Sequence, residues 1–304
     1  MINNDDYVIK TVHTEIDDYV RRAYYAFNAG DWLLAAHYYK NAVDLGDASS
    51  NNHLEESEKL VIDSVSEHDA EGLFWLAREY HSGLSLRQSY EKAFQYFTLA
   101  LERGYSEAVF EIADYFRSGF FVEKCVEEYH SLIGPKASLG NLKGLHFMSI
   151  CLIEGFGIKV DTDAAMKILG TLEDKEYPPA INSLGCCYDY GDTVNQDYSI
   201  AYDYFKRAAQ MGNANGMKNY GSYLLRGISC SSDVQRACYW LNKAANRGVA
   251  EAKRILGEYL VKESDKYIEG FLWLHNAAEQ GCMIDKKYLP QEFNAFLVTN
   301  EIML

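Results

Sequence analysis

A glycine-rich stretch is the first candidate for a binding site in this sequence. Residues 154–165 read EGFGIKVDTDAA, in which two glycines precede an aspartate and a pair of alanines. Backbone N–H groups of such a turn can hold a phosphate when a helix follows. However, the phosphate-loop pattern GxxxxGK[ST] and the pattern GxGxxG after a strand are both absent from the sequence. The turn therefore does not predict a nucleotide site.

Nucleophilic and metal-binding motifs are absent as well. The sequence has no HExxH, CxxC or GxSxG, and its eight histidines are scattered without metal-ligand spacing. The seven cysteines are odd in number and do not suggest a disulfide framework, so we expect reduced thiols. Cys186 and Cys187 are adjacent, and a reactive thiol there would need a basic neighbour. We expect no catalytic residue, no metal and no cofactor.

The charge balance limits the possible partners. The chain has 29 basic and 44 acidic side chains, which gives a formal net charge of −15. Such a surface repels a phosphate backbone and an anionic membrane, so we expect neither nucleic acid nor membrane as a partner. The first ten residues, MINNDDYVIK, lack the basic and apolar regions of a signal peptide. Together with the cysteine pattern, this predicts a cytoplasmic protein.

An internal period of 36 residues organises most of the chain. One unit gives way to the next at positions that lie 36 residues apart, which are Gly104, Gly140, Glu176, Gly212 and Gly248. A step back reaches His68, and a step forward falls three residues after Gly281. We refer to these positions as anchors. So regular a spacing indicates a repeat protein.

Small and large residues recur at fixed distances after each anchor. Their spacing of three and four residues fits one face of a helix. Glycines return fifteen residues after the anchors, where a left-handed helix end would favour them, at Gly83, Gly119, Gly155, Gly191 and Gly227. Aspartates precede the second helix of three units, at Asp161, Asp197 and Asp233. Each unit is therefore predicted to be a helix, a short elbow and a second helix.

The pattern resembles the Sel1-like repeat, a relative of the tetratricopeptide repeat with a short loop. The stretches FKRAAQMGNANGMKNYGSYLLRG (205–227) and YWLNKAANRGVAEAKRILGEYL (239–260) carry the resemblance together with the EGFGIKVDTDAA elbow. It implies an all-α protein, a right-handed α/α solenoid of about six 36-residue helix-turn-helix repeats. One continuous solenoid is expected, with tetratricopeptide-like helices in 1–68, the repeat array in 69–281 and a C-terminal capping helix in 282–304 near Pro290.

Two units depart from the repeat pattern. In the second unit Tyr129 and Lys136 replace small residues, and Gly134-Pro135 should end the second helix early. In the third unit Leu172 replaces alanine and Glu176 replaces glycine.

The same resemblance assigns the first helix of each repeat to a concave groove and names the columns that line it. The groove residues that this predicts are Phe74, Trp75, Arg78, His81, Phe110, Asp114, Arg117, His146, Phe147, Asn182, Lys218, Asn219 and Arg254. The aromatic residues among 74–147 should be exposed and are interpreted as binding anchors. The alternative is that Phe74 and Trp75 pack against a helix at 53–67. The amides and cations among 182–254 are read either as a face for a peptide carboxylate or as ordinary surface.

The sequence favours a non-enzymatic scaffold or adaptor that binds a peptide or protein in the groove. The acidic charge motivates one alternative, an inhibitor or immunity-type protein directed at a basic toxin or effector. A second alternative is a hydrolase or an enzyme that binds β-lactam or peptidoglycan, because some members of the resembled family have been associated with those ligands. That alternative lacks a visible nucleophile or metal. The oligomeric state and the identity of the partner do not follow from the sequence.

Overall fold

Apolar residues at helical spacing and polar caps at the helix ends make each repeat a pair of helices. The computed structural model describes residues 4–262 and 266–284, and residues 4–9 only as helical backbone. In these ranges the chain forms fifteen α-helices and no strand. The all-α prediction is thereby confirmed. None of the described helices is both long and apolar enough to span a bilayer.

The described chain divides into two compact units. Unit 1 comprises the residues up to Ala93 together with those from Ala250 onward, and unit 2 comprises Phe94–Val249. The helices of unit 1 are α1 (Asn4–Asn28), α2 (Trp32–Asp44), α3 (Asn51–Ser64), α4 (Ala70–Ser82), α14 (Ala250–Leu260) and α15 (Tyr267–Glu279). Helix α5 (Tyr90–Glu102) begins in unit 1 and continues into unit 2.

Unit 2 contains four consecutive helix pairs. Its other helices are α6 (Ala108–Ser118), α7 (Val126–Ser138), α8 (Leu142–Glu154), α9 (Thr162–Asp174), α10 (Pro178–Tyr190), α11 (Tyr198–Gln210), α12 (Ala214–Arg226) and α13 (Val234–Ala245). The second helices begin at intervals of 36 residues, at Tyr90, Val126, Thr162, Tyr198 and Val234. The sequence period is therefore the structural period of these helices.

The predicted helix ends are confirmed. Helix α8 ends at Gly155, whose φ of 72° lies in the left-handed region that glycine adopts without strain. The corresponding glycines after α4, α6, α10 and α12 adopt the same conformation. At the other end, Asp161, Asp197 and Asp233 accept backbone hydrogen bonds as N-caps of α9, α11 and α13.

The expected early break at Gly134-Pro135 is wrong. Helix α7 runs on to Ser138 with Pro135 inside it. A proline removes only one helical hydrogen bond, and the buried side chains of Tyr129 and Ile133 hold the preceding turn in the core of unit 2. The third unit accommodates its departure at the anchor, where Glu176 adopts a positive φ of 53°. The anchors Gly104, Gly140, Gly212 and Gly248 have a positive φ as well.

Three helices, α1, α2 and α3, occupy the N-terminal segment. Helices α1 and α2 form the expected pair around the turn at Gly30-Asp31, and α3 supplies the helix expected near 53–67. The predicted capping helix in 282–304, with Pro290, lies outside the described residues beyond Ile284.

Unit 1 gathers segments that are distant in the sequence into one core. Val12 of α1 and Leu45, which follows α2, are buried in a cluster with Ile268, Phe271 and Leu274 of α15. A solenoid repeat usually packs only on its neighbours in the sequence. The core of unit 1 instead depends on contacts between its N-terminal and C-terminal segments.

Candidate functional site

The predicted groove residues all lie on the first helices of the repeats, but their exposure differs. Trp75 and Arg78 of α4 are exposed. Four others are buried, namely Phe74, Phe110, His146 and Asn182. The remaining seven are half-buried, namely His81, Asp114, Arg117, Phe147, Lys218, Asn219 and Arg254. Their role in binding stays a prediction.

In unit 2 five of the predicted residues make contacts from one repeat to the next. A side chain six residues after one anchor contacts the side chain seven residues after the next anchor. The pairs are Phe110 with Phe147, His146 with Ser183, and Asn182 with Asn219. We call these six residues the ladder. Each pair lies 37 residues apart in the sequence, so the ladder is a direct product of the repeat.

The aromatic end of the ladder is covered by protein. Phe110 is 1% exposed, and its ring centroid lies 5.7 Å from that of Phe147. The Lys143 ammonium stands 4.7 Å from the Phe110 centroid and pairs with Glu111 at 3.1 Å. The expectation of solvent-exposed aromatics is therefore wrong for Phe110, and also for Phe74, which is 6% exposed. For Trp75 it is confirmed.

His146 forms the middle of the ladder as a neutral side chain. Its Nε2 lies 2.8 Å from the Ser183 hydroxyl. Burial, followed by the charges of Arg117 and Lys143, lowers the pKa of His146 to about 4. The imidazole is therefore uncharged at neutral pH and serves as a hydrogen-bonding core residue.

The polar end of the ladder surrounds a cysteine. Asn219 donates to Asn182 Oδ1 at 2.9 Å, and both amides lie within 3.9 Å of the Cys186 sulfur. Burial raises the pKa of Cys186 to about 11, although the Lys218 charge lowers it. Burial also raises the pKa of Cys187. These shifts keep both thiols protonated at neutral pH and argue against an activated nucleophile.

Two of the predicted cations form ion pairs with carboxylates. Arg117 donates to Asp114 at 3.0 Å on its own helix and to Glu154 of α8 at 3.3 Å. In unit 1, Arg254 is likewise paired on α14 with Glu251 and Glu258. The cations predicted for the groove at these two places thus have carboxylate partners.

Unit 1 holds an open cleft of about 560 Å³ between α2, α3 and α4. We call it the Trp75 cleft. Its lining consists of Gly30, Asp31, Trp32, Leu33, Val61, Ser64, Val65, Gly72, Trp75, Leu76 and Glu79. The volume falls in the range of ligand-binding clefts, and the lining is mainly apolar. Of the predicted residues, Trp75 alone belongs to this lining.

Trp75 is held in place although it is half exposed. Its side chain is 50% exposed, and its ring packs edge-on against Phe74 with centroids 5.8 Å apart. The Arg78 guanidinium stands 5.1 Å from the ring centroid, and the indole N–H points to Glu71 at 3.4 Å. A large aromatic that is both positioned and accessible suits a contact with a partner.

A buried polar network joins the two segments of unit 1. Lys253 is completely buried, and its ammonium donates to Ser82 O at 2.9 Å, Gln280 Oε1 at 2.8 Å and Asn276 Oδ1. Asn276 donates to the Gly83 carbonyl in turn. Burial and then the charge of Lys40 lower the pKa of Lys253 to about 7. We call these contacts the clasp, because they bridge up to 193 residues of sequence.

The predicted residue His81 belongs to the same region. Its carbonyl accepts a hydrogen bond from Gln280 Nε2 at 3.2 Å, and its ring packs against Tyr90 with centroids 5.4 Å apart. The Tyr90 hydroxyl donates to the Gln280 carbonyl at 3.1 Å. His81 is thus part of the join between the segments.

One grouping of potential metal ligands also lies in unit 1. Single ligand atoms of Asp44, His275 and Glu279 lie within 4.8 Å of one another. The buried ammonium of Lys40, however, donates to Asp44 at 2.7 Å and to Glu279 at 2.9 Å. Burial lowers the pKa of Lys40, but the two carboxylates outweigh that effect and raise it. A lysine thus provides the cation for these carboxylates, and the arrangement is an ion pair.

Lys253 and Glu79 are not among the predicted residues, although each stands in a column that carries a signal. Lys253 stands five residues after its anchor, where the other repeats have Leu73, Val109, Leu145, Ile181 and Met217. Glu79 stands eleven residues after its anchor, where the others have Tyr115, Cys151, Cys187, Tyr223 and Tyr259. A charged residue in an otherwise apolar column indicates a buried charge that needs a partner.

Comparisons with known proteins agree with the repeat. The relatives include chitin synthase regulatory factors 3 and 2 of Schizosaccharomyces pombe, 21% and 25% identical over 69% and 66% of this chain. Only 24% and 41% of those proteins are covered, so the chain spans less than half their length. Human protein sel-1 homolog 2 is 29% identical over 41% of this chain and 18% of its own.

Two solved structures are similar to this chain at low sequence identity. A Sel1 repeat protein from Oxalobacter formigenes matches with a TM-score of 0.48 and 20% identity, covering 73% of this chain and 90% of that one. An immunity protein from Pseudomonas aeruginosa matches with a TM-score of 0.46 and 19% identity, covering 79% of this chain and 86% of that one.

The repeat family itself is matched segment by segment. The Sel1 repeat matches residues 70–105, 142–169, 178–213, 214–249 and 256–282. These five segments include the helix that carries Trp75 and the helices of every ladder residue except Phe110. Because they cover more than half of the chain, the protein belongs to the Sel1 repeat family.

Proposed function

We propose that this protein is a non-catalytic scaffold that binds a segment of a protein partner in the Trp75 cleft. The observation that carries the proposal is an open, mainly apolar cleft with a half-exposed, positioned tryptophan. Accessible aromatics in apolar clefts are the usual energetic centres of protein interfaces. Two relatives are named as regulatory factors rather than as enzymes, which supports a non-catalytic role.

Within this proposal the ladder has a supporting role. Its side chains are engaged with one another, so a ligand would have to displace existing contacts to use them. Lys218 is half-buried beside the ladder and remains a proposed contact for an acidic group of the partner. Asn219 would assist only if its bond to Asn182 opened. The cleft requires no such rearrangement.

The same protein is proposed to work in the cytoplasm. All seven cysteines are free, and burial raises the pKa of several of their thiols. Free cysteines persist in a reducing compartment. An inhibitor or immunity-type role toward a basic protein is a second candidate, supported by the net charge of −15. Binding to a basic toxin that does not weaken with salt would count against that candidate.

The hydrolase alternative has less support. The adjacent cysteines Cys186 and Cys187 have raised pKa values and are therefore poor nucleophiles at neutral pH. Turnover of a panel of hydrolase substrates by the purified protein would revive this alternative.

The proposal is tested by capture of partners from the native lysate with Trp75→Ala and a matched control. Tyr239→Ala is that control, because Tyr239 is 53% exposed, packs edge-on against Trp240 and lies 4.5 Å from a lysine ammonium. Trp75→Ala should weaken capture by about 2 kcal/mol, a factor of about 30, whereas Tyr239→Ala should not. Both variants should keep the helical circular dichroism of the parent.

Equal capture by the parent and by Trp75→Ala would contradict the proposal. Phe110→Ala is not a suitable substitution for this purpose, since Phe110 is buried and its truncation should destabilise unit 2 by about 3–5 kcal/mol. Loss of capture in that variant would report unfolding rather than binding.

A further inference from the structure

The charged side chains that line the Trp75 cleft are both acidic. Its apolar walls come from Trp32, Leu33, Val61, Val65 and Leu76. Asp31 and Glu79 add two carboxylates, and among the residues that the structure describes no lysine, arginine or histidine belongs to the lining. Arg78 stands near the cleft, but its guanidinium lies over the Trp75 ring. The empty cleft therefore presents apolar surface and negative charge together.

Glu79 is the less satisfied of the two carboxylates. Ser85 donates hydrogen bonds to it, while its Oε2 is buried without a hydrogen-bond partner among the described residues. Burial raises the pKa of Glu79, although Ser85 and the charges of Arg78 and Lys253 lower it. Lys253 is already held by three oxygens in the clasp. A buried carboxylate oxygen without a partner is unfavourable, and a cation beside it would relieve this.

The repeat supplies an independent reason to regard Glu79 as unusual. Equivalent positions in unit 2 are Tyr115, Cys151, Cys187 and Tyr223, and all four are buried. The fold therefore accepts an uncharged side chain at this place in the other repeats. A carboxylate in the one repeat whose first helix lines the cleft is not required by the architecture. The terminal torsion of a glutamate is soft, so the carboxylate can turn when a cation binds beside it.

We infer that the Trp75 cleft receives a cationic, apolar segment of a partner protein. An apolar side chain of that segment packs between Trp32, Leu33 and Trp75, and an adjacent lysine or arginine pairs with Glu79 and Asp31. The inference rests on the proposed function and adds the chemistry of the partner. Pairing with a carboxylate that is already desolvated gives specificity as well as affinity, because a neutral or acidic segment leaves Glu79 unpaired.

The experiment uses the full-length protein and three synthetic peptides of about twelve residues, the size of an extended or helical recognition segment. The first has leucines with lysines in the polar positions (Leu–Lys), the second has the same leucines with glutamates (Leu–Glu), and the third has the same lysines with serine for leucine (Ser–Lys). The Ser–Lys peptide measures the general attraction of lysines to an acidic protein. Affinity is measured by fluorescence anisotropy at low and at high salt.

The Leu–Lys peptide should bind at least about tenfold more tightly than either of the others. Glu79→Gln should weaken this binding about tenfold and leave the weak binding of Ser–Lys unchanged. Asp163→Asn is the control for net charge, because Asp163 is an exposed carboxylate of α9 outside the cleft lining, and it should change neither. Glu79→Gln is isosteric and removes an unpaired buried charge, so its thermal stability should be equal to the parent's or higher.

Equal effects of Glu79→Gln and Asp163→Asn on the Leu–Lys peptide would overturn the inference, as would equal binding of Leu–Glu. Failure of the inference is distinguishable from failure of the proposed function. If capture of the natural partner depends on Trp75 while the Leu–Lys peptide gains nothing from Glu79, the cleft is a binding site for a segment that is not cationic.

Discussion

The first helices of units 1 and 2 use equivalent positions in different ways. In unit 2 the side chains of the ladder contact the next repeat at a constant separation of 37 residues. In unit 1, Trp75 is half exposed and lines a cleft, although it occupies the same column as Phe147, Ser183 and Asn219. The same column thus provides contacts between repeats in one unit and an accessible surface in the other.

The difference indicates where a repeat protein can place a binding site. An interior repeat has neighbours of the same kind on both sides, so its groove side chains find partners within the protein. Unit 1 is built from α1–α4 together with α14 and α15, and its packing departs from the repeat. Its irregular helices α2 and α3 form the wall of the cleft opposite α4. Surface that the repeat does not cover stays accessible in unit 1, and this is where we propose that the partner binds.

The largest expected effect concerns the clasp that holds unit 1 together. Lys253→Met should remove the donor of three hydrogen bonds and leave buried oxygens of Ser82, Asn276 and Gln280 without it. We expect a loss of about 3–5 kcal/mol of unfolding free energy, because each of the three buried acceptors costs about 1–3 kcal/mol when it is left without a donor. Hydrogen exchange followed by mass spectrometry should show faster exchange in α4, α14 and α15.

The comparison between the units makes that prediction sharper. If the units are stabilised separately, protection of α10 and α12 should change little in Lys253→Met. Lys167→Met, at an exposed position of α9, is the control and should alter neither unit. Equal loss of protection in both units would show that the whole chain unfolds as one cooperative body, and the contrast between the units would then not extend to their stability.

The regular part of the fold was predictable because its causes are local. Helix-ending glycines and capping aspartates act within a few residues; glycines end the first helix of five repeats, and aspartates cap the second helix of three. The exposure of Phe110 was not predictable in the same way, since its cover comes from Phe147 and Lys143 in the following repeat. The sequence pattern can assign a column of residues to the groove, but it does not show whether side chains of the next repeat cover that column.

The clasp and the cleft lay beyond that local reading for a different reason. Lys253 and Ser82 are 171 residues apart, and no period relates them. The only sequence signal was a charge in an apolar column. This signal identifies Lys253 and Glu79 as exceptions, but it does not show which residues they contact. The pairing of distant segments in unit 1 is a tertiary property, and it decides both the buried network and the open surface.

The next effect tests the ladder through the ionisation of His146. Its folded pKa of about 4 lies below the usual value of 6.5, so the unfolded chain binds more protons between those two pH values. Stability of unit 2 should therefore fall as the pH is lowered from about 6.5 to about 4, by up to about 3 kcal/mol from this residue. The groups that face His146 are Arg117, Lys143, Ser183 and Tyr177.

His146→Gln lacks this titration and should lose less stability over the same pH range. Urea unfolding of both proteins at pH 7 and at pH 4.5, followed by circular dichroism, measures the difference. A stability gap between them that stays constant with pH would show that His146 is not kept neutral in the ladder. The ladder would then be more open to solvent, and closer in character to the cleft, than its contacts indicate.

The smallest expected effect decides whether the ladder is purely structural. Asn182 and Asn219 are joined by a hydrogen bond of 2.9 Å, and a double-mutant cycle with alanine at each position should give a coupling energy of about 1 kcal/mol in urea unfolding. Capture of the partner should be the same for Asn219→Ala as for the parent, because the proposed contact lies at Trp75. If Asn219→Ala reduced capture and the coupling energy with Asn182 were small, the Asn219 amide would bind the partner rather than Asn182. In that case the two units would share the binding function, and a surface engaged within the protein would still be available to a partner able to compete for its hydrogen bonds.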